Sequence, residues 1–298
     1  MIRAFLSGNA KALPVPGGVA RGLLLLMSSI SLGGCFVRSS LYPAPNVRVA
    51  EPPVGFEEVV LSLSSGQTVS CWHLLDPALP ETAPALLYLH GNGENLETMR
   101  LSGTLESLVN LKMHVLALDY PGYGKSGGKP SEESLAEACD SALAWLAGQY
   151  ATCRRIVCGW SLGAAAGIGV AARNPGSVDG LIAMSAWTSL VDVASRFYPW
   201  FLVKLLVRDQ YNSLAAIGKV TCPVLLVHGR QDSLIPAQQG QKLSRAAPRL
   251  QRFVTLPGVQ HNDLLGRRVV WAEIRKFVGS IPPPKDRPHS SSMRSSER

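Results

Sequence analysis

The sequence predicts an α/β fold with an open, mostly parallel sheet of about eight strands. Three observations predict it. From Pro84 onward, apolar runs typical of strands buried on both faces alternate with segments of helical length. Two strand-like runs that start at residue 56 are separated by a polar turn, which indicates an antiparallel hairpin before the parallel part. A chain of 298 residues that is 46% apolar is also long enough to bury such a core.

Each element follows from its own composition. The predicted hairpin joins FEEVVLSL to TVSCWHLL through SSGQ. The predicted strands of the parallel part are ALLYLH, MHVLALDY, RIVC, GLIAMSA, PVLLVHG and RFVTLPG. The predicted helices cover residues 95–110, 131–150, 162–173, 236–247 and 269–279. Ser131 is the clearest helix start, because it is an N-cap serine followed by two glutamates in the first turn.

Residues 187–222 are predicted to form a small helical lid. They lie between GLIAMSA and PVLLVHG and are more than a plain crossover needs. Ligands of α/β sheets bind at the carboxyl ends of the strands, so an insertion there with an apolar inner side would cover a site. We expect most of its large apolar side chains to pack onto the core and one or two to contact substrate. They are Phe197, Tyr198, Trp200, Phe201, Leu202, Leu205 and Leu206.

Residues 1–34 are predicted to be a signal peptide. They contain basic but no acidic residues, and an apolar run at 23–30 that is too short to span a bilayer. The stretch LGGC that ends at Cys35 resembles a bacterial lipobox, which implies cleavage before Cys35 and acylation of its thiol. The alternative is an ordinary signal peptide or signal anchor with a coincidental cysteine.

Lipidation implies a location in the bacterial cell envelope. Acyl chains on Cys35 would hold the protein on a membrane at its periplasmic side. Phe36 stands where an aspartate would retain a lipoprotein at the inner membrane, and this resemblance to Gram-negative sorting rules favours the outer membrane. Residues 35–55 are predicted to be a tether because they are rich in proline, and residues 282–298 a disordered tail.

Charge and cysteine spacing exclude other classes. The formal net charge of +8 is not gathered into a basic stripe and no nucleic-acid motif is present, so we expect no nucleic-acid partner. The six cysteines show neither C-x-x-C nor Cys/His spacing, which predicts no metal site. Oligomeric state and the pairing of the five cysteines other than Cys35 stay open.

Ser161 is the predicted nucleophile. It stands in a G-x-S-x-G pattern between the strand RIVC and a helix of small residues, the context that a nucleophile elbow requires. Such a turn needs strained backbone angles, and Gly159 and Gly163 remove side chains that would collide in it. A short pattern also arises by chance, and Ser161 would then be only the polar start of a helix.

Asp232 and His261 are the predicted partners of this serine. Each follows a strand, PVLLVHG or RFVTLPG, and the carboxyl ends of parallel strands meet at one edge of the sheet. We therefore expect His261 to act as general base and Asp232 to orient it. Asp192 and Asp209 are alternatives on other loops, whereas Asp263 is too close to the histidine in sequence.

The N–H groups of Leu162 and Asn92 are the predicted oxyanion hole. Leu162 follows the nucleophile, and Asn92 lies in HGNGEN directly after the strand ALLYLH. A glycine-rich turn without this role is the alternative for HGNGEN. We expect Asp119 to hold the shape of its own loop, and His90 and His228 to pack turns.

Together these motifs resemble the serine α/β-hydrolase superfamily. HGNGEN, LDYPGYGKSGGKPSEE, GWSLG, CPVLLVHGRQD and QHNDL carry the resemblance, over residues 56–281. They are most similar to the small-lid branch with acyl-protein-thioesterase-like and monoacylglycerol-lipase-like members. The resemblance implies the α/β-hydrolase fold, hydrolysis through an acyl-serine, and no cofactor.

The sequence therefore predicts a membrane-anchored serine hydrolase that cleaves an ester or thioester of a small molecule or an acyl lipid. A serine peptidase or amidase of the same fold is one alternative, since Trp160 before the serine also occurs in prolyl-oligopeptidase-type peptidases. A catalytically silent lipoprotein used for binding is another.

Overall fold

An eight-stranded sheet forms the centre of the structure, a computed structural model that describes residues 41–284. The predicted signal peptide, Cys35 and residues 285–298 lie outside the described residues. The strands are β1 (Phe56–Ser62), β2 (Thr68–Leu74), β3 (Ala85–Leu89), β4 (His114–Leu118), β5 (Arg155–Trp160), β6 (Gly180–Met184), β7 (Val224–Gly229) and β8 (Leu250–Leu256).

Helices connect the strands of the sheet. In the order of the described chain they are α1 (Leu96–Leu101), α2 (Thr104–Val109), α3 (Glu132–Gln149), α4 (Leu162–Arg173), α5 (Leu190–Ala194), α6 (Trp200–Leu206), α7 (Ser213–Ile217), α8 (Ala237–Ala246) and α9 (Arg268–Ser280). Ser131 caps α3 as predicted, because its side chain accepts the Ser134 N–H while the Ser134 hydroxyl accepts the Ser131 N–H.

The strand order is β1-β2-β4-β3-β5-β6-β7-β8. β2 pairs antiparallel with both β1 and β4, and the remaining pairs are parallel, so the predicted sheet and its N-terminal hairpin are confirmed. Strands β3 to β7 are buried along their whole length, which explains their continuous apolar runs. β5 lies between β3 and β6, so the residue after β5 sits at the middle of the carboxyl edge.

The predicted helix over residues 95–110 is two helices instead of one. Gly103 separates α1 from α2 and has a φ of 78°, in the left-handed region where glycine carries no steric penalty. Asn95 caps α1 through its side chain, which accepts the Thr98 N–H. The chain can therefore change direction between the two helices.

The predicted tether is wrong over part of its length. Tyr42 and Val49 are buried, and the Tyr42 hydroxyl donates a hydrogen bond of 2.9 Å to the Asp209 carboxylate. The side-chain amide of Asn95 donates to the carbonyl of Val47. Proline content suggested a free segment, but these apolar and hydroxyl groups bind the segment to the folded unit.

Residues 187–222 contain the three short helices α5, α6 and α7, as expected of a lid. The prediction that most of its large apolar side chains pack onto the core is wrong, because buried lid positions are filled by other residues such as Trp187 and Val203. Six of the seven side chains named from the sequence are exposed by 40–77%: Phe197, Tyr198, Trp200, Phe201, Leu202 and Leu205.

Buried thiols are present, but none forms a disulfide within the described residues. Burial raises the pKa of each, so these thiols are poor nucleophiles. They are Cys71, Cys139, Cys153, Cys158 and Cys222. Over residues 41–284, no helix combines the length and hydropathy needed to cross a bilayer.

Candidate active site

Ser161 occupies a sharp turn between β5 and α4. Its φ and ψ are 56° and −113°, a strained conformation for a residue with a side chain. Its N–H donates a hydrogen bond of 2.9 Å to the carbonyl of Met184 at the end of the neighbouring strand. The prediction of strained backbone angles at this serine is confirmed.

The two glycines of the turn are required by close backbone contacts. A Cβ on Gly159 would overlap the backbone of Gly163, and a Cβ on Gly163 would overlap the carbonyl of Leu89 at the end of β3. The turn is therefore tight and lies directly against the end of β3, and only glycine fits at both positions.

The structure brings the three predicted residues together. His261 Nε2 lies 3.1 Å from Ser161 Oγ, and His261 Nδ1 lies 2.7 Å from Asp232 Oδ2. All three residues are less than a tenth exposed. We call this arrangement the Ser161–His261–Asp232 array.

Backbone and side-chain donors fix the carboxylate of the array. Asp232 Oδ1 accepts the N–H groups of Leu234 and Ile235 at 3.0 and 2.7 Å. His228 Nε2 lies 3.5 Å from Oδ2 of Asp232 and 2.8 Å from the carbonyl of Ile235, so His228 packs this turn as predicted and also faces the array.

The protonation of the array follows from this environment. Burial by itself raises the pKa of Asp232, but hydrogen bonds from His228 and His261 outweigh burial and hold that pKa below its usual range. An ionised carboxylate only accepts, so His261 Nδ1–H donates to Asp232, and in the neutral imidazole Nε2 is then an acceptor. Ser161 Oγ–H then donates to Nε2, the polarity needed for a general base.

The alternative carboxylates are engaged elsewhere. Asp192 accepts the Thr188 hydroxyl, and Asp209 accepts the Tyr42 hydroxyl. Asp263 accepts the N–H of Gln260 on its own loop. The geometry therefore selects Asp232 from the candidates that the sequence left open.

The loop after β3 lies beside the elbow. A Cβ on Gly91 would lie 2.5 Å from the ring of Trp160, so the loop packs on the residue before the serine. The Tyr123 hydroxyl donates a hydrogen bond of 2.7 Å to the Asn92 side chain and holds the loop there. Leu162 is the first residue of α4, where an N–H has no acceptor within the helix. The oxyanion role of Asn92 and Leu162 stays a prediction.

Two residues near the array were given no site role from the sequence. The ring of Trp160 packs on the ring of His261, with centroids 5.3 Å apart. Glu94 accepts the Gly91 N–H at 2.8 Å, and burial raises the pKa of Glu94 although the His90 ring and this hydrogen bond oppose the shift. The position of Trp160 directly before the serine could have indicated a place in the site. No sequence pattern indicated one for Glu94.

Asp119 holds its loop, as expected. Its Oδ1 accepts the Leu96 N–H at 2.9 Å and lies 3.5 Å from His90 Nε2. A Cβ on Gly124, whose φ is 53°, would overlap the Asp119 carboxylate. His90 in turn hydrogen-bonds the carbonyl of Gly91, which is the predicted turn-packing role.

A cavity of about 310 Å³ lies between α3, α4 and α7. Its walls include Leu135, Ala165, Gly169 and Ala216, and no residue of the array. The cavity is therefore separate from the array. Across residues 41–284, no group of three histidine, cysteine, aspartate or glutamate residues is arranged to hold a metal ion.

Comparison with known proteins gives the same fold and a family. The family model described as "Serine aminopeptidase, S33" matches residues 80–213, which include Ser161. An uncharacterized protein of Mycobacterium tuberculosis is 36% identical over 234 residues, covering 76% of this chain and 80% of the relative. The alpha/beta hydrolase domain-containing protein WAV2 of Arabidopsis thaliana is 31% identical over 251 residues, covering 77% and 80%.

A solved structure agrees on the fold. The esterase Pf2001 of Pyrococcus furiosus superposes with a TM-score of 0.63 at 18% identity, covering 80% of this chain and 99% of that one. The sheet and the strand-end array thus define an α/β hydrolase. The chain belongs to the serine α/β-hydrolase superfamily.

Proposed function

We propose that this protein is a serine esterase or thioesterase that works through an acyl-serine intermediate. The Ser161–His261–Asp232 array carries the proposal, because it joins a hydroxyl, an imidazole and an ionised carboxylate in the order that activates a serine. The proposed roles are nucleophile for Ser161, general base for His261 and orienting carboxylate for Asp232.

In the first half-reaction, Ser161 Oγ forms a bond to the acyl carbon and its proton passes to His261 Nε2. The carbonyl oxygen becomes an oxyanion, for which the N–H groups of Leu162 and Asn92 are the proposed donors. When the tetrahedral intermediate collapses, the bond to the leaving oxygen or sulfur breaks and the leaving group takes the proton from Nε2. Asp232 stabilises the imidazolium that exists between these two steps.

In the second half-reaction, water takes the place of the leaving group. It gives a proton to His261 Nε2 as it attacks the acyl-serine, and the released carboxylic acid leaves Ser161 with its proton restored. Neither half-reaction needs a metal ion or redox cofactor, because each is an acyl transfer whose proton moves through His261 and whose oxyanion is bound by N–H donors.

Attachment to a membrane through acylated Cys35 is also part of the proposal. Support comes from the lipobox-like LGGC stretch and the apolar run before it. A bilayer would hold the enzyme next to acyl lipids, so we propose acyl or lipid-like esters as the substrate class, on the periplasmic side of the bacterial envelope and with preference for the outer membrane.

Hydrolysis of p-nitrophenyl and thioester substrates of increasing acyl length tests the proposal. We expect Ser161→Ala to lower kcat at least about 10³-fold. Ser185→Ala is the matched control, since Ser185 is also buried, follows the next strand and has a φ of 49°, yet lies outside the array. Wild-type rates in Ser161→Ala, or no hydrolysis of any substrate by the wild type, would contradict the proposal. The second outcome would favour a silent binding protein.

A peptidase is the second candidate, because the matching family model is described as a serine aminopeptidase. The array would serve amides as well as esters, so geometry alone does not separate the two classes. Cleavage of short peptides or aminoacyl anilides, together with inactivity on simple esters, would replace the esterase proposal by this one.

A further inference from the structure

The lid presents an apolar surface on its outside. We define the outer lid surface as Phe197, Tyr198, Trp200, Phe201, Leu202 and Leu205, and Leu205 is the most exposed of these at 77%. Five of the six fall within the eight residues 198–205, on α6 and directly before it, and the rings of Trp200 and Phe201 lie 6.4 Å apart. Contiguous exposed apolar surface of this kind marks an interaction site.

Basic side chains occur in the same stretch of sequence as the outer lid surface. Arg196, Lys204 and Arg208 are exposed, and within the described residues none of them pairs with a carboxylate. Lys204 Nζ lies 5.4 Å from the ring centre of Trp200. No acidic residue occurs from 193 to 208. Aromatic rings with interspersed basic groups are typical of segments that lie in the interface of an anionic bilayer.

The N-terminal segment enters the fold at the same place. Tyr42 is buried, and its hydroxyl lies 2.9 Å from the Asp209 carboxylate and 3.0 Å from the Tyr211 hydroxyl. Asp209 comes three residues after the end of α6. Tyr42 comes seven positions after Cys35, so a fully extended chain spans at most about 25 Å between them. The chain length alone therefore limits an acylated Cys35 to within about 25 Å of the buried Tyr42.

We propose that the outer lid surface docks on an anionic phospholipid bilayer and forms a second membrane contact beside the lipid anchor. The proposal rests in part on the proposed acylation of Cys35. The contact would orient the protein with its lid towards the bilayer. A tether that was free up to residue 55 would limit the orientation less than a chain whose Tyr42 is already hydrogen-bonded to Asp209.

Tryptophan quenching in reconstituted vesicles tests this proposal. Trp200 is 63% exposed, whereas Trp145 is half-buried and the other four tryptophans are less than a tenth exposed. The full chain, purified from membranes, is reconstituted in vesicles of phosphatidylcholine and phosphatidylglycerol brominated near the headgroup. We expect a fraction of the emission to be quenched, and Trp200→Phe to lose that fraction. Vesicles of phosphatidylcholine alone should quench less.

Two variants separate docking from mere proximity. Phe201→Ser/Leu205→Ser should lose the quenching of Trp200, because the apolar contact is removed while the reporter remains. Leu101→Ser is the matched control, since Leu101 is 65% exposed on α1 outside the lid, and it should be quenched like the wild type. Equal quenching in the double variant and the wild type, or no difference between the wild type and Trp200→Phe, would overturn the proposal.

Flotation of the same vesicles reports attachment through Cys35 separately. Protein that floats with the vesicles but shows no quenching of Trp200 would leave the anchor in place and overturn docking of the lid. Protein that stays in solution without phosphatidylglycerol, yet is quenched by vesicles that contain it, would contradict the anchor and support docking. Neither quenching nor flotation depends on hydrolysis. Failure of the esterase proposal can therefore be distinguished from failure of lid docking.

Discussion

Gly163 packs directly against the carbonyl of Leu89, where any side chain on the glycine would overlap the end of β3. This contact holds the first turn of α4, which follows Ser161, against β3, the strand that precedes the loop with Asn92. We therefore predict that Gly163→Ala destabilises the protein by about 1–3 kcal/mol or more and lowers activity together with stability. Thermal melting checks this prediction.

Gly148→Ala is the control for this substitution. Gly148 lies near the end of α3, and a Cβ there would meet nothing within 4 Å. Alanine should leave stability unchanged or raise it by up to about 1 kcal/mol. Similar melting temperatures for the two alanine variants would show that the contact with Leu89 is not as close as the structure has it.

Asp232→Asn should lower kcat by about 10³–10⁴-fold with little change in KM. An amide at this position cannot accept from His261 Nδ1 and from the N–H groups of Leu234 and Ile235 all at once, so the ring loses its orientation. Ester hydrolysis measures the effect. Asp263→Asn, an exposed carboxylate on the histidine loop, should stay within a few-fold of the wild type. A large loss in Asp263→Asn alone would assign the orienting role to that residue.

The same carboxylate gives a pH dependence of stability. The pKa of Asp232 lies below its ordinary value of 3.8 in the folded protein, so its contribution is present above that value and is lost as the pH falls. Between roughly pH 5 and pH 3, the melting temperature of the wild type should fall more steeply than that of Asp232→Asn. Parallel profiles for the two proteins would mean that the pKa of Asp232 is the same in the folded and unfolded states.

The strands of the parallel sheet and the convergence of the array residues could be predicted from the sequence for a simple reason. Strands buried on both faces have continuous apolar sequences, and the carboxyl ends of parallel strands lie at one edge of the sheet. Ser161, Asp232 and His261 each follow such a run, so their convergence could be predicted without coordinates. Asp232 was the preferred carboxylate from the sequence, and the structure adds the contacts that engage the alternative Asp209 elsewhere.

Other features depend on contacts that no local pattern records. Prolines suggested a free tether, yet the Tyr42 hydroxyl donates a hydrogen bond to Asp209, which is 167 residues away in sequence. The apolar composition of the lid suggested an inner side packed on the core, but the structure leaves Trp200 and Leu205 exposed. The left-handed Gly103 likewise splits a segment whose composition suits one helix.

Cys35 should carry covalent lipid if the lipobox interpretation holds. Cells grown with an alkynyl palmitate should incorporate the label into the wild type, and Cys35→Ala should incorporate none, because the thiol is the site of diacylation. Cys222→Ala is a suitable control, since Cys222 is a buried thiol in the folded unit and should leave labelling unchanged. Label retained in Cys35→Ala, or absent from the wild type, would contradict lipidation at this residue.

The most direct test of the proposed mechanism is the mass of the adduct formed with a fluorophosphonate, which reacts with activated serines. The account predicts one phosphonylated peptide, the one that contains Ser161, with labelling lost in Ser161→Ala and retained in Ser185→Ala. Absence of an adduct on the folded wild type, or equal labelling of Ser161→Ala, would contradict the central claim that Ser161 is a nucleophile activated by His261 and Asp232.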